Sequence, residues 1–551
     1  MNCGVKMKKN SLINGAAIVT ISIILTKILG IIYVIPFHSI IGDEGGALYG
    51  YAYTIYLFFI SVSTAGIPLA ISRIVSEYQA LGYYNVKKRV FFLCKKISLL
   101  LGFISFIVII LFAPLMAKLI FGNIVGGNSI KDVILVIRVI GIAVLIVPIL
   151  SVYRGYFEGH RFMGPPSTSQ VLEQFFRVII IIFGSFISLK LFHGKVSYAV
   201  SIALLGASIG AFISYLYLLY IFNKNKKKFN ERIRRVNEPI VSDKIIIKKI
   251  FLYSIPFIMI DVSRSLFNYI DMFTVVKGLV NYANYNISDA ETIYSMLSTW
   301  CQKFNMILLA ISTGIVVSMI PNLTESIVKK DSNNINKNVY LCLSILLYFT
   351  IPMTIGISFL SKSIWMLFYG KSVYGSSVLG YYIFVGLIIC IFTCLMSILQ
   401  TFKDFKDVFI CLFCGVFVKL ILNYSLLKTF YNIGLPAYYG IITSTILGFL
   451  TSIIICLLFL SKRFNIKFEK VLKVFIDVLC SSFLMLIVLF LFKLFISVYS
   501  TNRLLNILII VFYSTLGFLV FYGYSRISKL DKEIFGSNNL FNIIKKIIIK
   551  K

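Results

Sequence analysis

The sequence predicts an all-α polytopic membrane protein with about fourteen transmembrane helices: two six-helix lobes around a central cavity, plus two C-terminal helices. Three observations predict it. Apolar residues make up 59% of the 551 positions and charged residues only 14%, a balance that soluble domains do not show. Apolar runs of about 20 residues, the length a helix needs to cross roughly 30 Å of hydrocarbon, recur at near-regular spacing from Ser11 to Tyr524. Lys and Arg are abundant in every second connection and sparse in the others. A transmembrane β-barrel would instead show alternating segments of about ten residues.

The first run, 11–37, follows Lys6, Lys8 and Lys9 as a signal peptide would, but it is too long for one and contains Lys27, so an uncleaved first helix is expected. Runs at 50–76, 97–121, 132–152, 166–189 and 196–222 complete an N-lobe over 1–222. Residues 223–249, with Lys224, Lys226, Lys227, Lys228, Arg232, Arg234 and Arg235, form a basic cytoplasmic linker expected to meet anionic headgroups rather than to carry chemistry. A C-lobe over 250–461 holds the runs 250–276, 292–320, 340–360, 375–401, 408–428 and 436–461. The last segment, 462–551, holds 472–498, 504–525 and a basic cytoplasmic tail. About 37 of the 54 Lys and Arg residues fall on the side of the N-terminus and the even-numbered connections, and about 10 on the other, which places both termini in the cytoplasm of a multi-pass cell-membrane protein.

The two halves echo one another. Ser63-Thr64-Ala65-Gly66-Ile67-Pro68 near the end of the second run is matched by Ser312-Thr313-Gly314-Ile315 and Pro321 near the end of the eighth. Such an echo suggests a six-helix unit duplicated in parallel, with a substrate cavity where the two units meet.

Charges within the runs mark candidate sites, because each costs at least about 2.5 kcal/mol at mid-membrane unless it faces a partner or water. The basic ones are Lys27, Arg73, Arg138, Arg177, Arg264, Lys303 and Lys419; the acidic ones are Glu173, Asp261, Asp271 and Asp477. Glu173 and Arg177 stand four apart on one helical face and form a candidate structural pair; Asp261 and Arg264, three apart, could do likewise. Lys27 and Lys303 have no acidic residue one turn away and are expected to line a cavity. An excess of cations over carboxylates inside the spans implies an anionic ligand, and phosphate suits Lys and Arg.

Other chemistry is not indicated. There is no G-x-x-x-x-G-K-[ST] loop for ATP, and no paired carboxylates of a glycosyltransferase, so no enzymatic activity and no cofactor are expected. The net charge of +33 belongs to membrane topology rather than to nucleic acid. The three histidines, His38, His160 and His193, sit near span ends, form no metal cluster and are expected to be solvated. The ten cysteines lie mostly in apolar runs as packing residues; Cys411 and Cys414 have no second pair that would complete a metal site.

One stretch is distinctive: Val147-Pro148-Ile149-Leu150-Ser151, Arg154-Gly155-Tyr156-Phe157-Glu158-Gly159-His160, Met163-Gly164-Pro165, Ser169-Gln170-Val171 and Glu173-Gln174. With Lys27-Ile28-Leu29-Gly30, Ile35-Pro36-Phe37, Gly45-Gly46-Ala47-Leu48-Tyr49, Asn268-Tyr269-Ile270-Asp271 and Gln302-Lys303, it closely resembles the MurJ-type lipid II flippases of Gram-positive bacteria and the SpoVB-type sporulation proteins. Both belong to the multidrug, oligosaccharidyl-lipid and polysaccharide exporter superfamily. The resemblance implies an alternating-access flippase that carries an undecaprenyl-diphosphate-linked glycan, lipid II, from the inner to the outer leaflet. It implies that Lys27, Arg73 and Lys303 are the substrate-binding cations of the cavity, two of them Lys where the family has Arg, and that Asp43 and Glu44 lie near the outward gate. Arg264, Asp261 and Asp271 are candidates for gating or ion coupling, with membrane potential, Na⁺ and H⁺ left open as driving forces. The expected partners are the lipid-linked glycan and membrane lipids, with the chain as a monomer. The alternative readings are a flippase for another lipid-linked polysaccharide or a spore-cortex precursor and, less in keeping with the basic membrane charges, a multidrug antiporter.

Overall fold

The computed structural model describes residues 12–64, 66–122, 127–226, 229, 238–239, 241–402 and 404–535, and every regular element among them is helical. Lys6, Lys8, Lys9 and, in the expected linker, Lys227, Lys228, Arg232, Arg234 and Arg235 lie outside the described residues. Eleven helical runs among the described residues are long and apolar enough to cross a bilayer. Their outward faces carry exposed large apolar side chains such as Leu111, Phe483 and Leu508, as lipid contact requires. By internal contacts the chain divides into two compact units, Met1–Trp300 and Cys301–Lys551.

The first unit contains α1 (Leu12–Ile32), α2 (Val34–Thr64), α3 (Ile67–Leu81), α4 (Tyr84–Phe121), α5 (Ile130–Gly159), α6 (Gly164–Ile179), α7 (Val196–Lys224), α8 (Asp243–Ala283) and α9 (Ile287–Ser295). The contact grouping follows packing rather than the sequence halves, and it places α8 with α2, α3 and α4. α2 is broken at Gly42, and a second break separates it from α3 at Gly66, where φ is +75°. Two constraints meet at this second break. Pro68 has no N–H for a continuing helix, and a Cβ on residue 66 would stand 2.6 Å from the Ser254 carbonyl oxygen of α8. Only glycine satisfies both the positive φ and the close approach.

Lipid tails are as apolar as leucine, so helices in a membrane associate through close backbone packing at small residues rather than through a hydrophobic drive. The distinctive Arg154–Gly159 block works in this way. A Cβ on Gly155 would meet Ile71 Cγ2 at 2.2 Å and the Pro68 oxygen at 2.5 Å; one on Gly159 would meet the Ser72 oxygen at 2.9 Å. Ser76 Oγ then donates to the Gly159 carbonyl at 2.8 Å, fastening α3 to the end of α5. On the other side of α5, Gly206 and Gly210 of α7 bring its backbone against α6 at Arg177 and Glu173.

The second unit contains α10 (Gln302–Val328), α11 (Ser332–Phe359), α12 (Ser361–Tyr369), α13 (Gly375–Thr401), α14 (Phe405–Asn432), α15 (Ala437–Phe464), α16 (Glu469–Phe495), α17 (Arg503–Ile527) and α18 (Leu530–Phe535). α14 and α15 pack along most of their length, with Gly415 set against Ser452 and the Gly448 carbonyl, and Gly440 against Leu426. α16 and α17 pack on each other, and α16 packs on α11. Together with α11 they enclose an apolar cavity of about 430 Å³ lined by residues such as Met353, Met485, Leu489 and Phe518.

Two sequence expectations are corrected here. His160 is not solvated: it is 4% exposed, its Nδ1 lies 2.8 Å from the Tyr156 carbonyl oxygen, and Phe162 and Phe229 pack around the ring. Its place at the end of α5 puts it in an aromatic cluster with Tyr156, Phe162 and Phe229, the last of these just beyond the end of α7. Lys87, in the second connection, is also buried, 1% exposed, and donates to Gln79 Oε1 at 2.8 Å and the Phe229 oxygen at 3.1 Å. His38 is largely covered as well, within 3.2 Å of Asp43.

Candidate functional site

α1 lies along α6. Lys27 is half-buried one turn before Gly30, whose Cβ position faces Gln174 of α6 at 3.6 Å. Arg73, on the exposed side of α3, stacks its guanidinium over the Tyr253 ring of α8 at 4.4 Å, one residue from the Gly66–Ser254 contact. That contact leaves the charged end presented rather than neutralised by a carboxylate. Lys303 belongs to the second unit, half-buried next to Gln302, whose Nε2 donates to the Tyr382 hydroxyl at 2.7 Å. Lys27 and Arg73 thus share one unit, and Lys303 stands in the other.

Glu173 and Arg177 do form the expected i,i+4 pair, with Oε1 accepting from Arg177 Nη2 at 2.9 Å. The second oxygen accepts from Arg154 Nη2 at 2.8 Å, and Arg154 Nε donates to Ser169 Oγ at 2.9 Å. The pair is therefore a triad of two cations on one carboxylate, each side chain about 15% exposed or less, with one positive charge in excess. Tyr49, Tyr53 and Tyr56 of α2 lie within electrostatic reach of Arg177. Sequence reading assigned Arg154 to a loop. Its partner is nineteen residues away on another helix, a spacing that carries no periodic signal; only its place in the distinctive block pointed to it.

The remaining candidates separate. Asp43 pairs with His38, and Glu44 accepts from Asn128 Nδ2 through its backbone oxygen at 3.2 Å. Asp261 and Arg264 do not close into an ion pair among the described residues; the Asp261 backbone oxygen accepts from Ser265 Oγ at 2.9 Å instead. Asp271 is half-buried on α8, in electrostatic reach of Tyr294.

Two further ionisable groups are buried: Glu291, which sequence reading did not name, and Lys419, which it named among the charges within the runs but gave no role. Glu291, 2% exposed, accepts from both the backbone and the side-chain nitrogens of Asn128, at 2.9 and 3.1 Å. Lys419, fully buried on α14, donates to Thr445 Oγ1 of α15, beside a hydrogen bond from Ser444 to Asn423. Among the described residues no group of three or more His, Cys, Asp or Glu is placed to hold a metal ion.

Comparison with known proteins identifies the family. The family model of polysaccharide biosynthesis proteins matches residues 12–312. The chain is 31% identical over 470 residues to the lipid II flippase MurJ of Bacillus subtilis (strain 168), covering 84% of this chain and 85% of the relative. It is 30% identical over 220 residues to stage V sporulation protein B of the same organism, covering 40% of each. Among solved structures, a lipid II flippase MurJ in an inward closed conformation superposes with a TM-score of 0.66 at 16% identity, covering 94% of this chain and 99% of that one. The fold, the distinctive block and this alignment over most of both chains have one reading: the chain belongs to the polysaccharide biosynthesis protein family, in the MurJ-type branch of the multidrug, oligosaccharidyl-lipid and polysaccharide exporter superfamily.

Proposed function

We propose that this protein flips lipid II, the undecaprenyl-diphosphate-linked peptidoglycan precursor, from the inner to the outer leaflet by alternating access. The observation that carries the reading is the 31% identity to a lipid II flippase across 84% of the chain. The cations support it. Lys27 and Arg73 in one unit and Lys303 in the other are charges that hydrocarbon disfavours and a diphosphate would use. Lysine at two of the three positions keeps the charge but not bidentate geometry, so headgroup binding here rests on charge more than on fork-like hydrogen bonding. Ligand-driven change requires that the headgroup bind one state better than another, so these cations should hold it more tightly in an occluded state than in an open one.

What supports fourteen crossings is the parity of contacts between connections. Lys249 pairs with Glu77 and Arg89 with Asp243, joining the second and sixth connections. Asn128 bonds Glu44 and Glu291, joining the third with the first and seventh. Arg463 pairs with Asp404, and the Lys467 N–H bonds Asn336, joining the twelfth with the tenth and eighth; Ser363 bonds the Val498 oxygen, joining the ninth with the thirteenth. Even meets even and odd meets odd in each of these, as an alternating fourteen-span path requires, and the Lys and Arg bias then puts both termini in the cytoplasm.

The bias for export is proposed to come from the membrane potential, about 2.3 kcal/mol per charge per 100 mV, with Na⁺ and H⁺ as the other sources. Vesicle flipping under selective ionophores separates the three. The test of substrate is complementation: deplete the resident lipid II flippase of a Gram-positive host, express this chain, and follow growth with surface-exposed lipid II. Rescue is expected. Failure with the protein present in the membrane would overturn the lipid II assignment in favour of a spore-cortex or other polysaccharide precursor, the reading that the similarity to the sporulation protein favours.

A further inference from the structure

The charge bias leaves few cations among the odd-numbered connections, yet three of them gather at one place in the second unit. A cavity of about 380 Å³ is lined by Lys362, Lys371, Trp365, Ser372, Ser376 and Tyr499. Gly370 also lines it, and a Cβ there would stand 3.6 Å from Arg503 Nη2. The fold builds this site. α12 stops at Gly370, with φ +85°, and the chain turns back within five residues into α13. Ser363 Oγ bonds the Val498 oxygen, which holds the connection before α17 against α12, and Lys362 Nζ rests 4.4 Å from the Tyr499 ring centroid.

Three further features point to an anion. The N-terminus of α13, a 27-residue helix, opens onto the turn that Ser372 and Ser376 line; Ser372 Oγ accepts from the Gly375 N–H at 3.1 Å, and the N-cap residue Tyr374 adds no side-chain cap, so the positive end of the helix lies at the cavity. Trp365 is 2% exposed, and its indole N–H, a donor only, has no acceptor among the described residues. No carboxylate among the described residues pairs with Lys362, Lys371 or Arg503. A second chemistry adjoins the first. Ile364 of the same short helix, together with Leu360 just before it, lines the apolar cavity of about 430 Å³. A ligand with a phosphate at one end and hydrocarbon at the other fits this pairing better than a free anion does.

We propose that this cationic cavity binds the phosphate of an anionic phospholipid headgroup. The site's chemistry is independent of what the protein transports; its leaflet, the outer one, follows from the charge bias. Anchored there, the lipid would tie α12, α13 and α17 together at the bilayer surface.

Trp300 and Trp365 are the two tryptophans of the chain, so intrinsic fluorescence reports on the site. The purified full chain in uncharged detergent is titrated with short-chain phosphatidylglycerol, short-chain phosphatidylcholine, inorganic phosphate and undecaprenyl diphosphate. Saturable binding of phosphatidylglycerol at least tenfold tighter than phosphatidylcholine is expected. The double variant Lys362→Gln/Lys371→Gln, at two exposed positions, should weaken phosphatidylglycerol about tenfold or more with no change in thermal unfolding. Native mass spectrometry should count one retained phosphatidylglycerol fewer in that variant, a readout that does not need Trp365. Equal binding of the two phospholipids, or an unaffected double variant, overturns the site. Inorganic phosphate binding as tightly as phosphatidylglycerol overturns the lipid assignment, and undecaprenyl diphosphate displacing phosphatidylglycerol at lower concentration overturns it in favour of the transported lipid.

Discussion

Replacing Glu173 by Gln removes the one negative charge from between two arginines and changes almost nothing in shape. In the native triad the carboxylate oxygens lie 2.9 Å from Arg177 Nη2 and 2.8 Å from Arg154 Nη2. With charge centres about 4 Å apart and an effective dielectric of about 20, each pair attracts by about 4 kcal/mol, most of which offsets desolvation. Removing one partner of a buried pair leaves the other charge uncompensated and costs about 3–5 kcal/mol. Here two guanidinium groups, 15% and 14% exposed, would be left facing each other, so Glu173→Gln should lose at least that much. Denaturation of the purified protein in a fixed lipid and detergent mixture measures the loss. Arg154→Gln in the Glu173→Gln background should recover part of it, because it removes one of the stranded charges. If Glu173→Gln lost less than about 1 kcal/mol, and the second substitution recovered nothing, the triad would not be a buried network and the electrostatic reasoning would fail.

The glycine packing predicts that Gly155→Ala destabilises the α3–α5 contact by about 1–3 kcal/mol, since the added Cβ meets backbone at 2.5 Å, whereas Gly164→Ala, with nothing within 4 Å, should be silent in the same denaturation assay. Lys419→Met exchanges a fully buried cation that donates to Thr445 for an apolar chain of similar volume, and loss of flipping in a Lys419→Met protein that unfolds at the parent's temperature would show that the lysine is not merely structural. Lys27→Ala and Lys303→Ala should each reduce flipping in reconstituted vesicles at unchanged protein level, and normal rates in both would remove them from the substrate path. For topology, Lys371→Cys should react with an impermeant thiol reagent on intact cells and Lys329→Cys should not; the reverse pattern would invert the orientation.

The helical class and the many membrane-length apolar runs were legible in one dimension, because hydrocarbon thickness sets run length. The Glu173–Arg177 pair was legible for the same reason: i and i+4 are neighbours on any helix. Arg154 was not, since it finds Glu173 across nineteen residues through a turn whose direction no periodicity encodes. Nor was the burial of His160 and Lys87, which depends on where Phe222 of α7 and Phe229, just after it, pack. The glycines of the distinctive block could be read as a resemblance, but their purpose, letting α3 approach the backbone of α5, exists only once the two helices are side by side. Local chemistry thus determined that this chain is a helical membrane protein. Contact between distant residues decided which charges are paired and which are presented, and brought Lys362, Lys371 and Arg503 together around one cavity, because such contacts form only once helices far apart in sequence pack side by side.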